Sequence, residues 1–412
     1  MNIIDHTRRS KKPRKSHARF VARTLLAIVL VYGAIGGIRM AGPLPEISYA
    51  ATSIAPRVSK VTIPWPANGQ TAIGDSETGV LLAGPTQNPK PIASVTKTMT
   101  ALAVLRKKPL AKGQQGPEIV LSQVDVNLYD NYLNRDGSVV AVAVGEKITQ
   151  YQALQAMMLP SANNMADSLV NWAFGDTESY VKYANIVATS LGMTQTTIAD
   201  ASGFSAETLS TPQDLLLLGK AALTEPVLAE IVHQSTAEIP VQGVIRNVNT
   251  LLGQEGINGI KTGNTEEAGG CFLVSATRTL KNGKPHTIII AAMGFPTRQL
   301  AMTATLPLLD AATQNFDYTL LAPKGQVVGI YKAAWGEIIN AKISEDVRTF
   351  GWLGTEQKSK VSLNTISKSH KKLQSVGTVQ SADGNASSDV FISKEFKGPT
   401  LSWRLQKAFK LW

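Results

Sequence analysis

A serine precedes a lysine by three residues at Ser94 and Lys97, in the stretch PIASVTKTMTALAVL (91–105). From Thr96 onward apolar residues recur at helical spacing, which predicts a helix that begins beside Ser94. Residues at i and i+3 lie on one face of a helix, so the two side chains would be within reach of each other. A desolvated lysine near other cations can lose its proton near neutral pH and accept one from the serine. The pair is therefore either a nucleophile with its general base or two polar residues on an ordinary helix.

The spacing alone does not decide between these interpretations, because S-x-x-K also occurs at Ser179/Lys182 and at Ser369/Lys372. The last pair lies in a lysine cluster with no apolar support, and we assign it to the solvated surface. We interpret Ser179 and Lys182 as a surface pair on a helix. A catalytic pair needs further polar groups that relay protons and bind substrate.

The first group of such residues is Ser161-x-Asn163, in PSANNMADS. It follows a predicted helix at 148–159, which stops at Pro160, and precedes a second predicted helix at 163–174. Taken alone, a serine and asparagines at this place are more typical of a helix N-cap and a turn.

The second group is Lys261-Thr262-Gly263, in GIKTGNT, on a strand-like run. Taken alone it is typical of an edge-strand lysine followed by a turn glycine. Each motif by itself is weak. Together, SxxK, SxN and KTG occur in this order, each on a suitable helix, turn or strand, and the combination strongly favours a serine acyl-transfer site.

The composition and charge limit the classes of protein to which the chain can belong. Of 412 residues, 43% are hydrophobic and 17% charged, which suits a large core and excludes disorder throughout. The net charge of +11 comes from residues 1–23 and 319–412. The middle has no basic stripe with interleaved aromatic residues, so we expect a membrane or an anionic polymer, not nucleic acid, to face the positive charge.

Metal chemistry has no support in the sequence. The single cysteine, Cys271, excludes an intrachain disulfide and a Cys-rich metal site, and we interpret it as a small core residue. The five histidines show no spacing typical of metal ligands.

An apolar segment near the N-terminus predicts export. Residues 24–38 are uncharged, and the segment reaches the roughly 20 residues of a spanning helix over 20–40 if Arg23 and Arg39 snorkel. The basic tail at 1–19 predicts a cytoplasmic N-terminus with the rest of the chain outside, in a single-pass protein of the cell membrane. The alternative is a signal peptide cleaved after SYA (48–50), which would give a secreted protein. The long basic region favours the uncleaved anchor.

The rest of the chain divides by composition. We predict a linker at 41–57, a folded body at 58–318, a small β domain at 319–398 and a short amphipathic helix at 399–412 that lies at a membrane interface or packs on the β domain. In the body, a helical middle flanked by antiparallel strands predicts an α+β fold, with a hairpin turn at Asn282-Gly283. Within the β domain, the polar residues 367–389 predict a long loop.

The motif segments resemble those of a known family. PIASVTKTMTA, MMLPSANNMADSL, DASGFSAETLSTPQDLLLLG and GIKTGNTEEAGGCFLVSATR look like the D-alanyl-D-alanine carboxypeptidases, which are low-molecular-weight penicillin-binding proteins of the serine peptidase S11 type. The resemblance covers roughly residues 58–318 and implies a penicillin-binding, β-lactamase-like transpeptidase fold, an antiparallel sheet flanked by helices. It implies removal of the terminal D-alanine from peptidoglycan stem peptides through an acyl-enzyme, with β-lactams as covalent inhibitors and no metal or organic cofactor.

The resemblance also implies a role for each motif residue. Ser94 is the acylated nucleophile, Lys97 is its general base, and Ser161 passes the proton toward the leaving amine. Asn163 positions substrate amides, while Lys261, Thr262 and Gly263 form the KTG box that binds the terminal carboxylate and places a positive charge beside Ser161. The oxyanion hole would use the backbone N–H groups of Ser94 and Asn264.

Two positions depart from the family pattern. Many members have an acidic residue where this chain has Asn164, and some have a basic carboxylate-binding residue where it has Val248, although Arg246 is nearby. No segment resembles the acidic loop of class A β-lactamases, which disfavours a β-lactamase-like hydrolase. A DD-endopeptidase and an inactive peptidoglycan-binding scaffold remain as alternatives, and the scaffold is disfavoured because all three boxes are intact.

Overall fold

The computed structural model describes residues 15–409, so most of the predicted basic tail and residues 410–412 lie outside the described part. The described residues form two compact units. The larger unit consists of Val58–Thr319 with Phe350–Glu356. The smaller unit consists of the described residues up to Arg57, Leu320–Thr349 and the described residues from Gln357 onward.

The described part of the chain contains ten α-helices. They are α1 (Lys15–Ala41), α2 (Thr96–Lys107), α3 (Gln123–Leu133), α4 (Gln150–Met158), α5 (Asn163–Phe174), α6 (Thr177–Ser190), α7 (Pro212–Thr224), α8 (Pro226–Val232), α9 (Arg298–Gln314) and α10 (Leu401–Phe409). Short 3-10 turns occur at Ala93–Val95 and Gln254–Gly256.

The same residues contain nineteen β-strands. They are β1 (Ser48–Ala51), β2 (Gln70–Asp75), β3 (Gly79–Ala83), β4 (Lys90–Pro91), β5 (Glu118–Val120), β6 (Lys147–Thr149), β7 (Leu209–Ser210), β8 (Thr236–Ile239), β9 (Gly243–Arg246), β10 (Ile257–Thr265), β11 (Gly269–Thr279), β12 (Pro285–Phe295), β13 (Phe316–Ala322), β14 (Val327–Lys332), β15 (Ile338–Ile343), β16 (Val347–Trp352), β17 (Ser359–Leu363), β18 (Ser375–Ser381) and β19 (Ser387–Ile392).

The larger unit is built on a five-stranded antiparallel sheet in the order β10-β11-β12-β2-β3. Helix α9 packs on one face and α7 on the other. Alternate residues of β12 therefore enter different cores: Ile288 and Ile290 lie with residues of α9, and Ile289 and Ala291 with residues of α7. Burial on both faces explains why this strand appears in the sequence as a continuous apolar run. The predicted α+β fold is confirmed, and it leaves β10 at one edge of the sheet.

Helices α2, α4, α5 and α6 pack together beside this sheet. The start of α7 is capped, because the Thr211 side chain accepts a hydrogen bond from Asp214 N at 3.2 Å and Pro212 is the first helical residue. Helix α5 has the predicted bounds. Helix α9 is also capped at its start, because the Thr297 side chain accepts a hydrogen bond from Leu300 N at 3.2 Å.

The smaller unit contains a six-stranded sheet in the order β1-β14-β15-β19-β18-β17. Its strand β1 lies in the segment predicted as a linker, and it pairs antiparallel with β14 from Ser48↔Lys332 to Ala51↔Gly329. Ile47 and Ile54, on either side of β1, belong to the buried core of this unit. The prediction of a simple linker at 41–57 is therefore wrong for this part, because its apolar residues gain burial and its backbone gains partners in the sheet.

The prediction of a long polar loop at 367–389 is also wrong in part. Strand β18 lies within it and pairs with β17 and β19. Val376 and Val379 of this strand are fully buried. Two valines among polar residues are sufficient for one strand face when the neighbouring strands supply the rest of the core.

Helix α1 contains the predicted membrane segment. Its residues His17–Ala41 are long and apolar enough to cross a membrane, and no other helix of the described residues meets the same test. A signal sequence near the N-terminus would share these features.

Candidate active site

Ser94 and Lys97 are in direct contact at the start of α2. Ser94 lies on the 3-10 turn Ala93–Val95 and is partly exposed, whereas Lys97 is fully buried in the first turn of the helix. Lys97 Nζ donates hydrogen bonds to Ser94 Oγ at 2.8 Å, Asn163 Oδ1 at 2.6 Å and Ser202 O at 2.9 Å. All three ammonium protons thus have acceptors, and the amine is held against the hydroxyl.

Burial lowers the pKa of Lys97 from its usual value to about 7. Transfer out of water disfavours the ammonium form, and the carboxylates of Asp200 and Asp167 oppose this shift. At neutral pH the neutral amine and the ammonium ion are therefore both well populated. A neutral Lys97 can accept the Ser94 proton, and the ammonium can later return it.

Two glycines let the chain approach the turn that carries Ser94. A Cβ on Gly203 would lie 1.8 Å from Ala93 O, and one on Gly263 would lie 3.0 Å from both Ser94 N and Ile92 O. Ala93 itself has a positive φ of 46°, a strained conformation for a residue with a side chain. The serine is therefore held between the loop at Gly203, where a side chain would clash with the turn, and strand β10, where Gly263 leaves little room for one.

Asn163 is brought to Lys97 by the turn before α5. The N-cap of α5 is Ala162, and its side chain makes no capping bond. Ser161, one residue earlier, has a φ of 69° and is 6% exposed. The interpretation of Ser161 as an N-cap serine is therefore excluded. Its hydroxyl makes no hydrogen bond to any residue that the structure describes.

The KTG residues lie on the edge strand β10. Lys261 and Thr262 are 2% exposed, whereas Asn264 is exposed. Lys261 Nζ donates to Thr262 O at 3.2 Å. Burial, and then the positive charges of Lys97 and Arg298, hold the pKa of Lys261 well below its usual value. This strand thus presents a second desolvated amine, and an anionic ligand beside it would stabilise the ammonium form.

The other two S-x-x-K pairs have no such surroundings. Lys182 forms an exposed ion pair with Glu178 at 2.6 Å, and Ser179 N is capped by Asp176 at 2.7 Å. Ser369 is exposed and shares a hydrogen bond with Ser367 at 2.8 Å. Both pairs lie on the surface, as predicted.

The acidic residues around Lys97 are not marked by any of the three sequence motifs. Asp200 accepts hydrogen bonds from Ser202 Oγ at 2.9 Å and Phe204 N at 2.8 Å, and so shapes the loop whose carbonyl binds Lys97. Tyr132 of α3 donates to Asp167 Oδ2 at 2.8 Å. Burial raises the pKa of Asp167 to about 6. The available signal was the helical spacing of Asp167, which lies four residues, or one turn, after Asn163.

Asn164, where the family pattern often has an acid, has a different function in this fold. Its Oδ1 accepts from Val140 N at 3.2 Å, and its Nδ2 donates to Val140 O at 3.0 Å. Both are buried, so the amide clamps the loop after α3 against α5. A carboxylate could not donate the second of these bonds.

The chain also resembles solved structures. Penicillin-binding protein 5 from Haemophilus influenzae aligns with a TM-score of 0.58 and 20% identity, over 82% of this chain and 99% of that one. At this identity the likeness establishes the fold alone. The fold is that of the penicillin-binding DD-peptidases, as the sequence resemblance implied.

Sequence comparison identifies the family. Residues 61–294 match the peptidase S11 family model, described as D-alanyl-D-alanine carboxypeptidase. The chain is 30% identical over 238 residues to a D-alanyl-D-alanine endopeptidase of Pseudomonas aeruginosa, covering 54% of this chain and 71% of that protein. It is 30% identical over 214 residues to a D-alanyl-D-alanine carboxypeptidase of Mycobacterium tuberculosis, covering 50% and 69%. The chain belongs to the peptidase S11 family of serine DD-peptidases.

Proposed function

We propose that this DD-peptidase is a carboxypeptidase that removes the terminal D-alanine from peptidoglycan stem peptides. The observation that carries the proposal is the buried Lys97 amine, 2.8 Å from Ser94 Oγ and with a pKa of about 7. A nucleophile in contact with a base that titrates near neutral pH is what acylation of a serine requires. β-Lactams would acylate the same hydroxyl.

In the first step Ser94 Oγ attacks the carbonyl carbon of the penultimate D-alanine, and its proton passes to neutral Lys97. The backbone N–H groups of Ser94 and Asn264 are our candidates for stabilising the oxyanion, because Gly263 brings β10 against the Ser94 turn. The peptide C–N bond then breaks. The proton returns through Ser161, whose hydroxyl is free to relay it, to the leaving amine of D-alanine.

The second step uses the same groups in reverse order. Lys97, neutral again, accepts a proton from water as the water oxygen attacks the ester carbon. The bond to Ser94 Oγ breaks, and the oxygen regains the proton. No group outside the protein and water is required for this cycle.

Preference for a free terminal carboxylate would come from the sheet side of the site. Lys261 and Arg298 supply positive charge, and Thr262 supplies a hydroxyl beside them on β10. Arg298 is exposed at the first position of α9, so it is a candidate for the cation that Val248 does not provide. Charge-assisted contacts to a carboxylate typically contribute about 1.5–3 kcal/mol.

The test uses the full-length protein in detergent and the substrate diacetyl-Lys-D-Ala-D-Ala. We expect D-alanine release, and a fall of roughly ten- to a hundredfold in kcat/KM when the terminal carboxylate is amidated. Equal cleavage of the amidated substrate would contradict carboxylate recognition. Absence of both cleavage and penicillin binding would show an inactive scaffold.

An endopeptidase is the second candidate, because the Pseudomonas relative carries that name. An endopeptidase cuts a cross-link, where the residue after the scissile bond belongs to another stem peptide. Cross-linked muropeptides and free pentapeptide should therefore be offered to the same preparation. Cleavage of the cross-linked species alone would decide for the endopeptidase.

We further infer that α1 anchors the protein in the cell membrane and that the larger unit is extracytoplasmic. Support comes from the apolar length of α1 and from the basic residues before it in the sequence. A reporter that is active only outside the membrane, fused to the C-terminus, should be active. An inactive reporter on a stably made fusion would contradict this orientation.

A further inference from the structure

Two loops of the larger unit meet through Arg135 and Phe204. The guanidinium carbon of Arg135 lies 4.4 Å from the centroid of the Phe204 ring, which is a cation–π contact. Tyr132 packs edge-on against the same ring, with the two centroids 5.4 Å apart. Arg135 follows α3, whereas Phe204 belongs to the loop that also contains Asp200 and Ser202. The contact therefore joins two parts of the chain that are remote in the sequence.

The backbone of both loops packs on the candidate active site. In the first loop, a Cβ on Gly137 would lie 2.9 Å from Asn163 Nδ2, and Ser138 O accepts a hydrogen bond from Asn163 N at 2.7 Å. In the second loop, a Cβ on Gly203 would lie 1.8 Å from Ala93 O. The arginine and the phenylalanine are thus one or two residues from backbone that contacts the site.

The two loops form the rim of the site on the side away from β10. The turn that carries Ser94 is flanked by β10 at Gly263 and by the second loop at Gly203. In the proposed reaction the terminal D-alanine occupies the β10 side, where the KTG residues bind its carboxylate. We therefore expect the acyl part of the substrate, which precedes the scissile bond and stays on the serine, to leave the site along the opposite rim.

Arg135 places a positive charge without an anionic partner on this rim. Its side chain is exposed, and among residues 15–409 its guanidinium makes no hydrogen bond or ion pair, not even with the adjacent Asp136. The ring of Phe204 covers one face of the guanidinium and leaves the N–H groups at its edge accessible. A planar guanidinium held in this way is suited to bind a carboxylate through two hydrogen bonds.

We propose that Arg135 determines specificity on the acyl side of the substrate, where it binds a free carboxylate of the stem peptide while Phe204 holds the guanidinium in position. The proposal rests on the proposed DD-peptidase reaction, and it applies to carboxypeptidase and endopeptidase alike because both form the same acyl-enzyme. The preferred substrates are stem peptides with a carboxylate either on the side chain of the residue before D-Ala-D-Ala or on the main chain before that residue.

The test compares three substrates on the full-length protein in detergent. The reference is diacetyl-Lys-D-Ala-D-Ala, which has no charge on its acyl side. Two isomers replace one acetyl group by succinyl, which adds a carboxylate on either the Nε or the Nα of the lysine. We expect kcat/KM for one isomer to exceed that of the reference by about three- to tenfold, as for an exposed charge-assisted contact. The preferred isomer distinguishes the side-chain from the main-chain carboxylate, and added salt should reduce the preference.

Charge variants at Arg135 test the assignment to this residue. Arg135→Gln should bring the ratio of kcat/KM between the preferred isomer and the reference to about one. Arg135→Glu should reverse the preference, so that the succinyl substrate becomes the poorer one. Lys108→Gln is the matched control, because Lys108 is also exposed and lies over an aromatic ring, 5.6 Å from the centroid of Trp172. This control should keep the wild-type ratio.

Equal kcat/KM for all three substrates in the wild-type protein would overturn the proposal, as would a preference that persists in Arg135→Gln. Absence of D-alanine release from every substrate would instead contradict the proposed carboxypeptidase function. In that case acylation rates decide, measured with benzylpenicillin and with carbenicillin, which has an additional carboxylate on its acyl side chain. The ratio of carbenicillin to benzylpenicillin rates should fall in Arg135→Gln, and an unchanged ratio would overturn the role of Arg135.

Discussion

The two sides of the candidate site each bury a lysine, and the charged groups around the two lysines have opposite signs. On the helical side, Lys97 has Asp167 and Asp200 nearby, which hold its pKa at about 7 against the effect of burial. On the sheet side, burial lowers the pKa of Lys261, and the positive charges of Lys97 and Arg298 lower it further. Residue type and burial are therefore the same, and the neighbours differ.

This difference suggests that the two lysines have different functions. An amine balanced by carboxylates titrates near neutral pH without a ligand, which suits a general base. Cations around an amine destabilise its ammonium form, and a substrate carboxylate beside it would stabilise that form. Four variants test this assignment of functions, and they are ordered by the expected size of the effect on activity.

Ser94→Ala should abolish both D-alanine release and covalent penicillin labelling, because Ser94 Oγ is the one hydroxyl that is hydrogen-bonded to Lys97 Nζ in the described residues. Mass spectrometry of the digested wild-type adduct should place the label on the peptide around residue 94. Ser179→Ala, in the exposed S-x-x-K pair, is the control and should label normally. Label on Ser179 or Ser369 in the Ser94→Ala protein would refute the assignment.

Lys97→Met should lower kcat/KM by about 10²–10⁴, the usual contribution of a general base. Methionine is unbranched and apolar, so it fits the buried space without leaving a charge. Burst kinetics of penicillin acylation should slow by a similar factor, and the thermal midpoint should fall, because Asn163 Oδ1 and Ser202 O lose their buried donor. An unaltered acylation rate would mean that another group takes the Ser94 proton.

Lys261→Met should lower kcat/KM by roughly ten- to a hundredfold on a substrate with a free carboxylate, since one charge-assisted contact is lost. The same variant should show a smaller loss on the amidated substrate, whose terminus carries no charge. Equal losses on both substrates would indicate that Lys261 serves proton transfer instead of carboxylate binding.

Asp167→Asn should shift the acidic limb of the kcat/KM profile to lower pH, by up to about one unit. The carboxylate raises the pKa of Lys97, so removing its charge lowers that pKa, and the neutral base then persists at lower pH. The pKa of Asp167 is about 6, so it is mostly ionised where Lys97 titrates. Glu230→Gln is the matched control, because Glu230 also accepts from a tyrosine, Tyr151, at 2.6 Å, and its profile should not move.

The motif residues were predictable from the sequence because each lies at a fixed spacing on one local element. Ser94 and Lys97 share the start of α2, and the turn before α5 orders Ser161 and Asn163. The acids around Lys97 were not predictable in this way, since Asp200 reaches it from a distant loop and no spacing in the sequence marks that approach. The resemblance to the family identifies the SxxK, SxN and KTG motifs, but it does not identify the acidic residues around Lys97.

Strand β1 was missed for a different physical reason. Its four side chains are all exposed, so it has no buried face that an alternating pattern could reveal. Only pairing with β14 makes it a strand, and that partner is remote in the sequence. Ile47 and Ile54 were the available signal, because two isoleucines are unusual in a segment that is otherwise typical of a linker.

The pairing of β1 with β14 also imposes a waiting time on the growing chain. About 280 residues separate the two strands, and at ~5–20 residues per second their synthesis takes on the order of tens of seconds. During that interval β1 has no β14 to pair with, and the residues made between the two strands include Val58–Thr319, the main segment of the larger unit. A chaperone or the export machinery that shields residues 47–54 would therefore act at the earliest stage of the life of the protein, long before its sheet exists.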